Sequence, residues 1–198
     1  MFQNEINKIM SWDRRIPFEQ LSRRLIDDFN MSISLWYQAK SKKLVSKQVV
    51  YITIALIQLY NGLRAGESVE AFKEWVKTNQ EEVEIKVEKR KDGATRLAII
   101  PDIVRFNRNI IERAIDLGFG KLDEITKNKY KCWFLKTYNI NTHTLRKAWE
   151  SFMARKLNKD PALISAFQGR KRLESHLQYL RREEAKEEIK KLLKGLFA

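Results

Sequence analysis

Cysteine and histidine are scarce in this chain of 198 residues, which holds one Cys and two His. A single cysteine excludes an internal disulfide and is typical of a reducing compartment, and so few sulfur and imidazole ligands argue against a zinc site. The sequence also lacks a phosphate-binding loop of the form GxxxxGK[ST] and any clustered Asp/Glu set for two-metal nuclease chemistry. We therefore expect no metal and no cofactor.

Long apolar runs are missing as well. No segment approaches the ~20 apolar residues of a membrane-spanning helix, and the first ten residues, MFQNEINKIM, lack the apolar core of a signal peptide. We expect a cytoplasmic protein that does not enter a membrane.

Basic residues are abundant: 39 Lys and Arg face 25 Asp and Glu, a formal net charge of +14. Residues 121–198 hold 19 basic and 9 acidic residues, whereas residues 1–120 hold 20 and 16. Such an excess on a chain with 43% hydrophobic residues predicts a folded domain that binds a polyanion, most often nucleic acid. An anionic membrane surface is the competing interpretation.

The hydrophobic pattern predicts a mostly α fold with one small antiparallel β-hairpin. Strands are expected over 83–89 and 95–100, where apolar residues alternate around a KDG turn. Residues 45–60 are apolar nearly all round, which indicates a buried central helix. Other helices are expected over 16–29, 31–40, 68–77, 102–117, 122–138, 142–157, 161–168 and 172–181, followed by an amphipathic tail.

Arg64, Lys91 and His143 head three motifs whose residue types suit anion chemistry. Arg64 follows a helix break at Gly62, with Glu67 placed to orient it; the plain alternative is a solvated surface arginine. Lys91 lies in the predicted hairpin turn. It either lies along a DNA groove or is an ordinary exposed lysine of a surface turn. Asn141 or Thr142 is a predicted N-cap, which puts His143 and Arg146 on one helix face as an anion site with a titratable imidazole.

The last unusual stretch is GRKRLESHLQYLRR, residues 169–182. Tyr179 there is either a packed side chain or a nucleophile whose phenolate is favoured by surrounding cations, Arg170 among them.

In this order and spacing the residues resemble the catalytic domain of the tyrosine recombinases, the phage-integrase and Xer-like family. Gly62-Leu63-Arg64-Ala65-Gly66-Glu67 is similar to the family's G-L-R-x-x-E helix end, and His143-Thr144-Leu145-Arg146 to its H-x-x-R helix. Lys91, Arg96 and Pro101 follow its hairpin motif, and Gly169 and Tyr179 its final motif. Position 170 departs from the pattern, since Arg stands where the family has His or Trp. The basic composition is similar to that of integrases of archaeal viruses and plasmids.

The resemblance implies a catalytic domain over residues 15–182, after an extension over 1–14 and without a complete N-terminal core-binding domain. Tyr179 would attack a DNA phosphodiester to give a 3′-phosphotyrosyl link, with Arg64, Arg146 and Arg170 clamping the phosphate. His143 would take the phenol proton or share the phosphate contact, and Lys91 would protonate the leaving 5′-oxygen. Further double-stranded DNA contacts are expected from Arg90, Arg96, Lys147, Lys171 and Arg172.

The resemblance also bears on how the protein assembles. The tail over 183–198 would pack either on a neighbouring protomer, as in a tetramer on paired DNA sites, or on its own domain. A type IB topoisomerase would share the chemistry, and a DNA-binding module of the same fold that has lost turnover is a further alternative.

Overall fold

The computed structural model describes residues 16–88, 91–156 and 161–168, together with Ile189 and Lys191. At its centre lies a helix, α2 (Lys43–Asn61), in which every residue from 49 to 61 is buried. A helix that is apolar on all faces must be covered on all faces, and this one packs against helices on several sides. The predicted central helix is confirmed.

One long helix precedes it, α1 (Phe18–Gln38), where the sequence pattern predicted two. Its buried residues follow a single unbroken stripe at steps of three and four: Phe18, Leu21, Ser22, Leu25, Phe29, Ser32 and Trp36. The stripe runs straight through Asn30, and neither Gly nor Pro interrupts it, so the expected boundary between 29 and 31 is wrong. The Trp36 indole donates to Ser46 Oγ at 3.1 Å, which holds α1 against α2.

The next unit is a helix followed by the hairpin. Helix α3 (Ala65–Thr78) packs against strand β1 (Glu82–Lys86), which pairs antiparallel with β2 (Thr95–Ile99). The register sets Ile85 opposite Arg96 and Val83 opposite Ala98, and all four side chains are buried on the face toward the helices. The predicted hairpin is confirmed.

The remaining helices close the core. They are α4 (Asp102–Phe106), α5 (Arg108–Phe119), α6 (Lys127–Tyr138), α7 (His143–Lys156) and α8 (Pro161–Phe167), with a 3-10 turn at Leu122–Glu124. The single helix predicted over 102–117 is broken at Asn107, whose amide donates to the Ile103 carbonyl at 2.8 Å. The segment predicted as a helix over 122–138 likewise opens with the 3-10 turn and becomes α-helical at Lys127.

The fold is mostly α with a two-stranded antiparallel sheet, as the sequence predicts. The helix expected over 172–181 lies outside the described residues. In the predicted tail, Lys191 is exposed and Ile189 is buried in the core. At Ile189, therefore, the tail packs on its own domain. Over the described ranges, none of the helices has the length and apolar character needed to cross a membrane.

Candidate active site

The break after α2 creates the backbone geometry at the candidate site. Gly62 ends the helix in a left-handed conformation, with φ of 57°, and Arg64 is then extended before α3 begins. A Cβ atom built on Gly62 would lie 2.3 Å from a ring carbon of Trp149. Glycine is therefore required here both for its positive φ and for the close approach of α7.

Side chains bind the carbonyls of residues 60 to 63 at this helix end, where intrahelical N–H partners are lacking. Four carbonyls in succession accept hydrogen bonds: Tyr60 from Trp149 Nε1 (3.0 Å), Asn61 from Arg96 Nη2 (2.8 Å), Gly62 from Arg146 Nη1 (2.9 Å) and Leu63 from Gln58 Nε2 (3.1 Å). Since α7 and β2 each supply donors, the end of α2 is the point where the elements that carry the predicted motifs meet.

Glu67 is the hub of the cluster. Its buried carboxylate accepts from the backbone N–H of Arg64 (2.9 Å), from Arg64 Nη1 (2.8 Å) and from the N–H of Glu88 (3.1 Å). Arg96 Nη1 lies 3.4 Å from Glu67 Oε2, and Arg146 Nη1 lies 3.9 Å from the same oxygen. One carboxylate thus holds three guanidinium groups, and the local charge is positive.

The three arginines differ in what they offer to a ligand. The Arg64 side chain is 31% exposed, that of Arg146 is 4% exposed, and Arg96 is fully buried. The prediction that Arg96 contacts DNA is therefore wrong: it faces inward from β2 and donates to Asn61 and Glu67. The period-two alternation of the strand, which puts residue 96 on the same face as Ala98, was the signal for this.

The start of α7 brings His143 to the cluster. Gln58 Nε2 donates to the Thr142 carbonyl at 3.0 Å, which ties the first turn of α7 to the end of α2. The N–H of His143 donates to Asn141 Oδ1 at 2.8 Å, and that of Thr144 to the Asn141 carbonyl at 3.1 Å. These two N–H groups are thus bound within the protein, and the anion-binding character predicted here rests on side chains.

The His143 imidazole is exposed at the surface beside several cations. Partial burial lowers the pKa of His143, and the charges of Lys147, Arg146 and Arg64 lower it further, against a smaller opposing effect of Glu150. Nearby cations disfavour the protonated, positively charged form of the ring. The lowered pKa favours the neutral imidazole, which is the form able to accept a proton.

Arg146 has two further partners that the sequence analysis did not identify. Its Nε donates to Glu150 Oε1 at 3.0 Å, and its Nη2 donates to Gln168 Oε1 at 2.7 Å. The spacing of four residues between Arg146 and Glu150 on a helix was a usable signal. Nothing in the local pattern marked Gln168, because it arrives from the end of α8.

Other predicted residues lie apart from this cluster or cannot be placed. Lys91 is exposed on the connection between the strands, and within the described ranges no hydrogen bond or ion pair joins it to the cluster. Lys147 is exposed one turn after His143. Arg90, Arg170, Lys171, Arg172 and Tyr179 lie outside the described residues. Among those that are described, no group of three His, Cys, Asp or Glu side chains is arranged to hold a metal ion.

Comparison with known proteins identifies two relatives. A protein of Acidianus two-tailed virus named "Putative integrase ORF241" is 30% identical over 182 residues, covering 92% of this chain and 69% of the viral protein. "Uncharacterized protein MJ0770" of Methanocaldococcus jannaschii is 27% identical over 169 residues, with 72% of each chain covered. No protein-family model matches the chain, and no solved structure matches it.

Proposed function

The chain belongs to the integrase family, and from that premise we propose that it is a site-specific DNA recombinase of the tyrosine type. Residues 15–182 would form its catalytic domain, acting on double-stranded DNA. The observation that carries the proposal is the cluster at the end of α2. There Arg64 and Arg146 share the Glu67 carboxylate, and the imidazole of His143 lies close enough for both guanidinium groups to lower its pKa.

In the proposed reaction the Tyr179 hydroxyl attacks the phosphorus of a DNA phosphodiester. The bond from phosphorus to the 5′-oxygen breaks, a 3′-phosphotyrosyl ester forms, and His143 takes the phenolic proton. Lys91 gives a proton to the departing 5′-oxygen. A 5′-hydroxyl of a second DNA end then reverses these steps, so the bond energy is conserved.

Negative charge that develops on the non-bridging phosphate oxygens in the transition state is the main electrostatic barrier. The arginines would stabilise this charge. Guanidinium groups already fixed by Glu67 need no reorganisation when that charge develops. Since Arg64 is the more exposed of the pair, we assign it the larger phosphate contact, with Arg146 meeting the phosphate at its edge. Arg170 would complete the clamp as a permanently charged donor.

The test is covalent adduct formation without metal. Supercoiled plasmid and a nicked oligonucleotide that traps cleavage are incubated with the protein in EDTA, and SDS gels reveal any protein–DNA adduct. We expect an adduct from wild type and none from Tyr179→Phe. The exposed Tyr37 gives the matched control, Tyr37→Phe, which should form the adduct normally.

Each contrary result has a distinct meaning. An adduct that persists in Tyr179→Phe would show that another residue is the nucleophile. An adduct that requires metal would contradict the tyrosine type, and binding without any adduct would indicate a DNA-binding module. Exchange between two sites, rather than relaxation alone, is expected of a recombinase; a tetramer on paired sites stays a prediction.

A further inference from the structure

Gln168 closes a ring of hydrogen bonds around Arg146. Its amide oxygen accepts from Arg146 Nη2 at 2.7 Å, and its amide nitrogen donates to Glu150 Oε1 at 3.1 Å. The same Glu150 oxygen accepts from Arg146 Nε at 3.0 Å. Gln168 itself is only 1% exposed. The ring therefore links the first turns of α7 to the residue that directly follows α8.

Three acceptors on three nitrogens fix a planar guanidinium in both position and rotation. Gly62 holds Nη1, Glu150 holds Nε and Gln168 holds Nη2. An arginine side chain has several rotatable bonds, so a partner at each edge orients it before any ligand arrives.

We propose that Gln168 is a positioning residue for DNA cleavage, which sets the plane of Arg146 and joins it to the segment that carries the nucleophile. This rests on the proposed function. Along the chain, Gln168 is followed at once by Gly169 and Arg170, and Tyr179 comes eleven residues after Gln168. Gln168 therefore binds Arg146 from the position that directly precedes the proposed final motif in the sequence.

An amide suits position 168 because the side chain there accepts a hydrogen bond from the Arg146 cation and donates one to the Glu150 anion. A carboxylate would satisfy Arg146 but repel Glu150, and an apolar side chain would satisfy neither. Gln168 bridges the two charges without adding a third.

The first measurement is the single-turnover cleavage rate of Gln168→Met on the nicked substrate in EDTA. We expect cleavage to slow on the order of 10- to 100-fold, as for other small misplacements of catalytic groups, while the Kd for DNA stays within about twofold. Ile164→Val, which trims a buried side chain on α8, the helix that Gln168 directly follows, is the matched control for a general loss of packing. Thermal unfolding of both variants shows whether each one is folded.

A double-mutant cycle with Arg146→Lys tests whether Gln168 acts through Arg146. An ammonium cannot occupy all three positions of the ring, so the slowing caused by Gln168→Met should disappear in the Arg146→Lys background. Equal slowing in both backgrounds would contradict the proposal.

The pH dependence of cleavage by Gln168→Glu distinguishes a positioning role from a merely structural one. The introduced carboxyl faces Arg146 and Glu150 on α7, with Glu67 on α3 behind Arg146. When protonated it donates to Glu150 and accepts from Arg146, as the amide does. The rate of Gln168→Glu relative to wild type should therefore rise as the pH falls, and a ratio independent of pH would contradict the role.

The outcomes separate the two proposals. An unchanged rate in Gln168→Met, with a wild-type adduct present, would overturn the role of Gln168 and leave the recombinase proposal intact. No adduct from wild type on the nicked substrate would overturn both.

Discussion

A single buried carboxylate, that of Glu67, orients three arginines at the end of α2. Burying a charge is costly unless partners surround it, and here the backbone N–H groups of Arg64 and Glu88 add to the guanidinium contacts. The arrangement explains how cations can stand close together before DNA arrives. The His143 imidazole lies near Lys147, Arg146 and Arg64, whose charges lower its pKa against the opposing effect of Glu150.

The titration of His143 is the first prediction at this scale. We expect its imidazole to titrate below the ordinary value of ~6.5 in the folded protein, from burial and from Lys147, Arg146 and Arg64. Lys147→Gln removes one of these charges and should raise the pKa. NMR titration checks this directly, because the chain holds only two histidines and His143→Gln assigns the signal.

The direction of this pKa shift determines how stability depends on pH. A depressed pKa means that the unfolded chain binds the proton more readily than the folded protein does. Any stability contributed by His143 is present above the unfolded pKa and is lost as the pH falls through the folded pKa. The cleavage rate should rise as the pH rises over the same interval, because only the neutral ring accepts the phenolic proton. A pKa for His143 at or above that of an unfolded peptide would contradict both expectations.

At the scale of elements, hydrophobic periodicity predicted which helices and strands form better than it predicted where they begin and end. The apolar run of α2 and the alternation of β1 and β2 are sustained patterns in the sequence, and all three elements overlap their predicted ranges, although β1 ends at Lys86 and not at 89. The break at Asn107 and the fusion of two predicted helices into α1 depend on local hydrogen bonds and packing partners that the pattern does not encode.

The candidate site shows the same division. The pairing of Arg64 with Glu67 could be predicted because the two are three residues apart on a helix start. The ring formed by Arg146, Glu150 and Gln168 could not be predicted in full, because Gln168 reaches it only after α7 and α8 have packed. Tertiary packing, rather than local propensity, decides such contacts.

The junction of α2 and α7 gives the prediction at this scale. Gly62→Ala would place a methyl group 2.3 Å from the Trp149 ring and force a non-glycine residue to a φ of 57°. Left-handed strain costs about 1–2 kcal/mol and overpacking about 1–3 kcal/mol, so we expect a loss of about 2–5 kcal/mol in the free energy of unfolding. Urea denaturation measures it.

Gly93→Ala is the matched control, since its φ is 69° but nothing lies within 4 Å of the added Cβ. This variant should lose only the strain contribution of about 1–2 kcal/mol. Equal destabilisation of the two variants would contradict the prediction that the close approach of Trp149 adds to the cost of Gly62→Ala.

At the scale of the whole molecule, α2 separates the candidate site from a second basic region. The helix has 19 residues, so its ends lie about 27 Å apart. Lys43 is exposed at the first turn, whereas the arginine cluster and Lys147 lie beyond the last turn. With a formal net charge of +14, either end could attract DNA by charge alone.

The dependence of DNA affinity on salt distinguishes the two ends. Each phosphate contact contributes about −0.9 to the slope of log K against log salt concentration. If DNA lies across the candidate site, Lys147→Gln should make the slope shallower by about 1 and weaken binding to all sequences alike. Lys43→Gln removes the same charge from the chain but should leave the slope unchanged. Fluorescence anisotropy between about 50 and 200 mM salt measures both variants. A shallower slope for Lys43→Gln alone would place the DNA at the opposite end of α2, away from Arg64, His143 and Arg146.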